Sequence, residues 1–427
     1  MSEKQFKVGP VVGASVGSAI EYFDFSVYGL LAPTMGPLFF PNQNASHAIL
    51  ASLAIFGGAF IVRPIGGIVL GRLGDKKGRS PVLIATILGM GVCSTLMGLL
   101  PTYEQFGDAA PWLLLSCRLL QGFFAGGEVS GAMTYIAECA PPRRRGFYGA
   151  FNPAGVTVGI ALAAATVGLT HSLLPADQMS VWGWRVPFIA CLILVSIGLR
   201  LRLRLEDTEQ FHQLETQGKV AKAPLQDVLR DHKPPLLKTI GVAFGMTSGA
   251  YLGLVYFNIY LTRVNHYEKQ VVFWLLAVVP LLAAGCMPFF GELSDRFGRK
   301  PLLLAGFAGY CLLTPLAMHL MSLGNIAVAC LATVVAFVPY AVVQSVAFPS
   351  YAELFPAQVR YTGVSLGFNI GSILGGAATP FVCAWLVDTT AVMLSPAYYV
   401  TISSLVGCIA VYAFRSEKLT QAASVAR

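Results

Sequence analysis

Apolar windows of about twenty or more residues recur along almost the whole chain, and that recurrence narrows the possible folds more than any single motif does. A helix needs ~20 apolar residues to cross a bilayer. Such windows fall near 12 to 38, 48 to 71, 81 to 100, 111 to 137, 147 to 173 and 184 to 203. They recur near 236 to 262, 269 to 291, 301 to 322, 325 to 352, 361 to 387 and 396 to 415. The pattern predicts an all-α membrane protein with 12 transmembrane helices. Only 12% of the 427 residues are charged, against about 25% in a soluble domain, so a water-facing surface of this size could not be covered. The one sizeable polar stretch, Arg200 to Lys238, is too short to bury a core of its own. No room is left for a separate catalytic or nucleic-acid-binding domain. The apolar run after the charged Met1 to Lys7 is too long for a signal-peptide core and reads as the first span.

The net charge of +8 then has to follow from topology. With the N-terminus inside, 24 of the 29 Lys and Arg fall in the inner connections and tails, three (Arg185, Arg263, Lys269) at the outer face, and Arg63 and Arg118 within spans. That asymmetry predicts both termini in the cytoplasm. It also accounts for the basic balance through attraction to anionic lipid heads, without a nucleic-acid partner. The nine cysteines sit almost all in apolar runs, without C-x-x-C spacing, and read as packing residues.

Two marks repeat. Gly71-Arg72-Leu73-Gly74-Asp75-Lys76-Lys77-Gly78-Arg79 follows the second window, and Gly291-Glu292-Leu293-Ser294-Asp295-Arg296-Phe297-Gly298-Arg299 follows the eighth. Glu138-x-x-Pro141-x-x-x-Arg145 follows the fourth, and Glu353-x-x-Pro356-x-x-x-Arg360 the tenth. Nearly one offset relates both pairs, which indicates a parallel internal repeat. The expected division is a six-helix half at 1–203, a cytoplasmic linker at 204–235 and a second six-helix half at 236–427, with solute bound between the halves. The glycines suit a tight turn. Asp75 can face the positive N-terminal end of a neighbouring helix, and Arg79 can bind carboxylates or carbonyl ends.

The doubled G-x-L-(small)-D-(K/R)-x-G-(R/K) motif resembles the signature of the major facilitator superfamily. The resemblance implies that Asp75, Arg79, Glu138, Arg145, Asp295, Arg299, Glu353 and Arg360 latch the cytoplasmic side while the cavity opens outward. Further segments narrow it: Glu21-Tyr22-Phe23-Asp24-Phe25, Arg63-Pro64-Ile65-Gly66-Gly67, Arg118-Leu119-Leu120-Gln121-Gly122 through Glu128, Arg145-Gly146-Phe147-Tyr148 and Trp182-Gly183-Trp184-Arg185-Val186-Pro187. Together they look like the metabolite:H+ symporter family, whose members include the proline/betaine, alpha-ketoglutarate, shikimate and citrate symporters of bacteria. The similarity runs from about residue 10 to 415. The family's osmosensory proline/betaine transporter carries a long C-terminal coiled coil, whereas this sequence ends at Arg427, which puts osmotic gating of that kind in doubt.

An ionisable side chain at mid-span costs ~2.5 to 3.5 kcal/mol on insertion scales, so each is a functional candidate. Glu21 and Asp24 in the first window, Arg63 in the second, and Arg118 and Glu128 in the fourth all lie in the first half. Proton coupling is therefore expected there, at Asp24, Glu21 and Glu128. Helix rise sets Asp24 and Arg118 at one level, and Glu21, Arg63 and Glu128 at a lower one. The planar fork of Arg118 suits either a solute carboxylate or ionised Asp24, and the exchange would link H+ to solute. A permanent Asp24–Arg118 tie between spans is the plainer alternative, and a structural tie is the favoured reading for Glu21, Arg63 and Glu128. By resemblance, the alpha-ketoglutarate symporter has arginine at the position of Arg118 and the proline/betaine transporter lysine, which favours a carboxylate-bearing solute.

The opposite wall of the cavity is expected to include Tyr251, Tyr256, Phe257, Tyr260, Trp274, Tyr340, Gln344 and Phe348, with Asn152 and Asn369 as further polar candidates; aromatic faces could also cage a quaternary ammonium. His319 reads as interfacial. Small-residue spacing at Gly122/Gly126, Gly155/Gly159 and Gly367/Gly371/Gly375 suits close helix contacts. The expected function is proton-coupled uptake of a small organic carboxylate or zwitterion across a bacterial-type inner membrane by a monomer, with H+ as the coupling ion and no cofactor. Proline/betaine-type uptake and proton-coupled efflux are the alternatives. Efflux is weakened by Ile160 and Ala161 standing where the antiporter pattern has Gly-Pro. No G-x-x-x-x-G-K-(S/T) loop or nucleophile–base cluster supports an enzyme or ATP-driven pump.

Overall fold

The computed structural model describes residues 9–43, 45–203, 207–217 and 223–414. Lys4, Lys7, Arg204, Lys219, Lys222, Arg415, Lys418 and Arg427, which entered the charge count, lie outside those residues. Twelve long helical segments run through the described residues: α1 (Gly9–Phe39), α2 (Ala45–Lys77), α3 (Arg79–Leu99), α4 (Ala109–Cys139), α5 (Phe151–Leu173) and α6 (Val186–Arg202), then α7 (Lys233–Thr262), α8 (Lys269–Phe297), α9 (Arg299–Met321), α10 (Ile326–Glu353), α11 (Arg360–Thr390) and α12 (Ser395–Tyr412). No strand occurs among the described residues. Ten of these, all but α1 and α4, are long and apolar enough to cross a membrane. The other two are 31 residues each, and they carry Glu21, Asp24, Arg118 and Glu128, whose charges dilute their apolar windows.

The outward faces are apolar, as lipid contact requires: Ile61, Leu173, Leu312 and Ile409 are each more than 60% exposed. Trp274, expected to line the cavity, is half exposed instead. Polar side chains point inward. Within the first six helices α2 lies along α4, α1 along α5, and α3 against α6. Within the last six α7 packs on α11 and α12, and α9 on α10. Contacts between the sets run mainly through α5 with α8 and α2 with α11. Glycine makes several of these approaches possible. A Cβ on Gly122 or Gly126 would overlap the α2 backbone at Ala59 or Arg63, one on Gly159 the α1 backbone at Ala19, and one on Gly375 the α7 backbone and Thr247.

The repeated motif holds the tight turn its glycines suit. Helix α2 continues to Lys77 and α8 to Phe297, and each chain reversal is confined to one residue, Gly78 (φ 101°) or Gly298 (φ 94°). That positive φ is open to glycine and strained for other residues. Proline and polar residues inside the helices are tolerated because neighbours satisfy the freed backbone groups. Helix α7 departs from regular geometry, with wider π-type turns at Leu252–Tyr256 and Tyr260–Val264, and α11 does so at Ile373–Ala377.

Candidate functional site

The first-half charges fall into three groups. In the first, Arg118 donates to Gln121 Oε1 and Gln121 Nε2 donates to Asp24 Oδ2, so an amide stands between the two charges. Gln121 also reaches Ser94 Oγ at 3.1 Å. The guanidinium of Arg118 lies over Tyr28, Phe25 and Phe56, with ring-centroid distances of 4.0, 4.7 and 5.4 Å. Those faces partly replace its lost hydration. Asp24 Oδ1 and Arg118 Nε and Nη2 have no hydrogen-bond partner among the described residues.

In the second group Arg63 Nη2 pairs with Glu21 Oε1 at 3.1 Å, both fully buried. Arg63 also sits 4.2 Å from the Phe25 centroid, 4.6 Å from Phe60 and 5.9 Å from Tyr22. In the third, Glu128 is held by Arg202 and Thr86, and Arg202 also donates to the carbonyls of Leu83 and Ala14. Arg202 corrects the charge count. Assigned from the sequence to the polar connection, it turns back from the last turn of α6 and is completely buried. It fits because Gly17 has no side chain; a Cβ there would overlap the guanidinium.

A central pocket lies between the two sets of six helices. Its walls include Tyr22 from α1, Val156 and Ile160 from α5, Tyr251 from α7, Tyr340, Gln344 and Phe348 from α10, and Phe368 from α11. No charged side chain lines it, but Tyr22 connects it to Arg63, as does Tyr251 through Phe60 (ring centroids 5.7 Å apart). Gln344 Oε1 has no partner among the described residues. A second pocket lies between α7, α9 and α10. Tyr340 borders both cavities, and its hydroxyl is 2.7 Å from that of Thr157 on α5.

The remaining candidates lie elsewhere. Arg118, Tyr256 and Tyr260 line neither cavity, and the Tyr260 hydroxyl is donated to the Met318 carbonyl at 3.2 Å. Asn152 donates to the Val129 carbonyl at 3.3 Å, leaving its Oδ1 unpartnered. Asn369 ties α11 to α4, donating to Gly126 O at 2.7 Å. Nearby, Ser130 and Ser365 hydroxyls meet at 2.5 Å and Tyr361 donates to Gly127 O at 2.7 Å.

At the end of the bundle carrying the repeated motifs, the two sets of helices are bound together twice. Asp75 on α2 accepts from the backbone N–H and hydroxyl of Thr362 (2.9 and 2.7 Å) and from Tyr361 N–H (3.4 Å), so it caps the first turn of α11. Arg79 binds Glu138 through two nitrogens (3.2 and 3.1 Å) and the Ala357 carbonyl at 3.1 Å. Glu138 also meets Arg360 at 3.2 Å. Asp295 on α8 accepts from Gly146 and Phe147 N–H (2.7 and 2.8 Å) at the start of the short Arg145–Gly149 helix before α5. Arg299 joins it to Glu353 at 2.8 Å. Arg145 begins that capped helix, and its Nε has no partner among the described residues.

Sequence reasoning missed the linker's part in this end. Asp207 Oδ1 accepts from Arg79 and Ser80 N–H (2.6 and 2.9 Å), capping α3, and Thr208 donates to Glu138 at 2.6 Å. Phe211 lies under Arg79, 5.1 Å from guanidinium carbon to ring centroid. The only local signal was Thr208, which caps helix Glu209–Thr216. Among the described residues no cluster of three or more His, Cys, Asp or Glu could hold a metal ion.

Apolar helices around an inward-facing polar interior, a pocket between two helix sets and ionic contacts joining those sets at one end define a multi-pass membrane transporter. The profile of the Major Facilitator Superfamily matches residues 14–363 and 239–426, and the chain belongs to that superfamily. It is 35% identical over 411 residues to the proline/betaine transporter of Salmonella typhimurium, covering 93% of this chain and 81% of that protein. It is 36% identical, with the same coverage, to the glycine betaine/proline/ectoine/pipecolic acid transporter of Dickeya dadantii. An ectoine/proline transporter of Corynebacterium glutamicum is 34% identical over 423 residues, 95% of this chain and 83% of that one. Among solved structures, the proton:xylose symporter XylE bound to 6-bromo-6-deoxy-D-glucose superposes with a TM-score of 0.72 at 17% identity, over 96% of this chain and 95% of that one. The inward open conformation of the xylose transporter from E. coli gives 0.64 at 18% identity over 94% of each chain.

Proposed function

We propose that this protein is a proton-coupled symporter that takes up a small zwitterion or organic carboxylate by alternating access. One observation carries the reading: an aromatic-lined pocket between the helix sets adjoins a fully buried Arg63–Glu21 pair through Tyr22. A solute carboxylate and the Glu21 carboxylate compete for one guanidinium, whose planar fork suits either. A proton on Glu21 frees Arg63 for the solute. Asp24 is the second proton site, because its Oδ1 is unpartnered and Gln121 separates it from Arg118. Arg118 then acts on Asp24 through Gln121, away from the solute. Glu128, gripped by Arg202, ties α4 to α6.

The motif end is cytoplasmic in this proposal, with both termini on that side of a bacterial inner membrane and twelve spans divided as 1–203, 204–235 and 236–427. The Asp75 and Asp295 clusters, with Glu138, Glu353, Arg79, Arg299, Arg145 and Arg360, hold that side closed and release when the cavity opens inward. A monomer contains every group the cycle uses. The named solutes of the bacterial relatives, proline, betaine and ectoine, support the zwitterion over a di- or tricarboxylate, since one arginine adjoins the cavity.

Solute-induced pH change in proteoliposomes tests the reading. Proline, betaine, ectoine, alpha-ketoglutarate, citrate and shikimate would be added outside in turn. Alkalinisation with a zwitterion is expected. Silence across that series with a monodisperse, folded protein would refute symport of these classes.

A further inference from the structure

Gln344 lies mid-way along α10, is 5% exposed, lines the central cavity and leaves Oε1 without a hydrogen-bond partner among the described residues. A buried carbonyl oxygen without a donor carries a desolvation cost that a bound ligand can relieve. No charged side chain lines the pocket it faces, and five of its wall residues are aromatic: Tyr22, Tyr251, Tyr340, Phe348 and Phe368. Ring faces and an amide oxygen present the same negative sign to the cavity, so both attract a cation. They differ in what they require of it. A ring face accepts any cationic nitrogen, whereas an amide oxygen needs an N–H or O–H directed at it.

We propose that Gln344 selects solutes whose cationic nitrogen carries at least one N–H, such as an imino acid or amidinium zwitterion, over those whose nitrogen is fully substituted. The inference rests on the central cavity being the solute site. Tyr340, one helical turn away, has its hydroxyl engaged with Thr157, whereas Gln344 Oε1 has no partner among the described residues. The carboxylate end is directed towards Tyr22 and towards Arg63, whose Nε has no hydrogen-bond partner among the described residues and whose Nη2 is paired with Glu21. A fully methylated nitrogen would suit the aromatic walls but leave Oε1 desolvated and unpaired in the loaded state, the situation that separates solutes most sharply in a buried site.

Proline and N,N-dimethylproline form the matched pair for the test, since they share ring and carboxylate and differ in two methyls on one nitrogen. Uptake of each would be measured in proteoliposomes under a fixed proton gradient. The wild type should show a KM for proline at least tenfold lower, the scale expected for one unmet buried acceptor. Gln344→Met, similar in length but without a strong acceptor, should raise the KM for proline about tenfold and move that for dimethylproline far less, bringing the ratio towards one. A wild-type ratio of one or below would overturn the proposal, even if the variant failed to fold. So would a ratio unchanged in a folded Gln344→Met protein. Transport of both solutes without discrimination overturns the role of Gln344 alone, whereas transport of neither by folded protein overturns the cavity reading with it.

Discussion

Replacing Asp75 by asparagine separates the part of the latch present only when the motif end is closed from the part present throughout the cycle. The Asp75–Arg79 pair at 3.3 Å joins residues four apart within the first six helices, so it contributes to both states and largely cancels. The three bonds accepted from Tyr361 and Thr362 cross to α11 and do not cancel. Asparagine has one acceptor oxygen, so it can keep the Thr362 bonds but must turn an NH2 towards Tyr361 N–H. The retained bonds become neutral, about half as strong as charge-assisted ones, and the favourable charge at the start of α11 is lost, worth up to ~2 kcal/mol in a partly buried setting. The closed state should lose about 2 kcal/mol in all, roughly a 30-fold shift towards the open one. Spin labels at the exposed positions Lys76 and Arg296, in a background with the nine native cysteines replaced, would report the distance between the helix sets. A longer-distance population should grow in Asp75→Asn, with solute ranking unchanged. An unaltered distribution, or a reordered solute preference, would refute the latch argument.

Asp24→Asn should abolish proton-driven accumulation while solute exchange persists; accumulation at the wild-type level in proteoliposomes would remove Asp24 from the coupling path. Glu128→Gln should destabilise the protein by about 3 to 5 kcal/mol, because Arg202 is left as an uncompensated buried charge. Pairing Glu128→Leu with Arg202→Met should recover much of that loss, as read by thermal unfolding in detergent. Gly17→Ala should lower the same transition by displacing Arg202, and an unchanged midpoint would show that α1 can move aside. Thr208→Val removes the linker's bond to Glu138, worth about 1 kcal/mol; because that bond does not cross to the second six helices, it should lower the thermal-unfolding midpoint and leave the spin-label distances unchanged.

The membrane architecture was legible because it rests on local pattern. Window length, the scarcity of charge and the doubled motif are properties of contiguous residues, and they place the helices and the reversals at Gly78 and Gly298 within a few positions. The inward direction of the first-half charges also follows locally, since lipid offers a charged group no partner. Asp75 and Arg79 were open to sequence reasoning for a similar reason: the motif sets them on either side of the Gly78 reversal, close enough to pair.

Partner choice was decided by tertiary structure. Glu128 and Arg202 are 74 residues apart in sequence, and their meeting depends on how far α6 is rotated and on the absence of a side chain at Gly17. Gln121 between Asp24 and Arg118, the seclusion of Arg118 behind Phe25, Tyr28 and Phe56, and the docking of Asp207 and Thr208 on α3 and Glu138 are of the same kind. Each depends on distances between side chains from different helices, set by packing of all of them at once. A sequence specifies which side chains must avoid lipid; only the closed packing of the helices specifies which of them a given charge finds there.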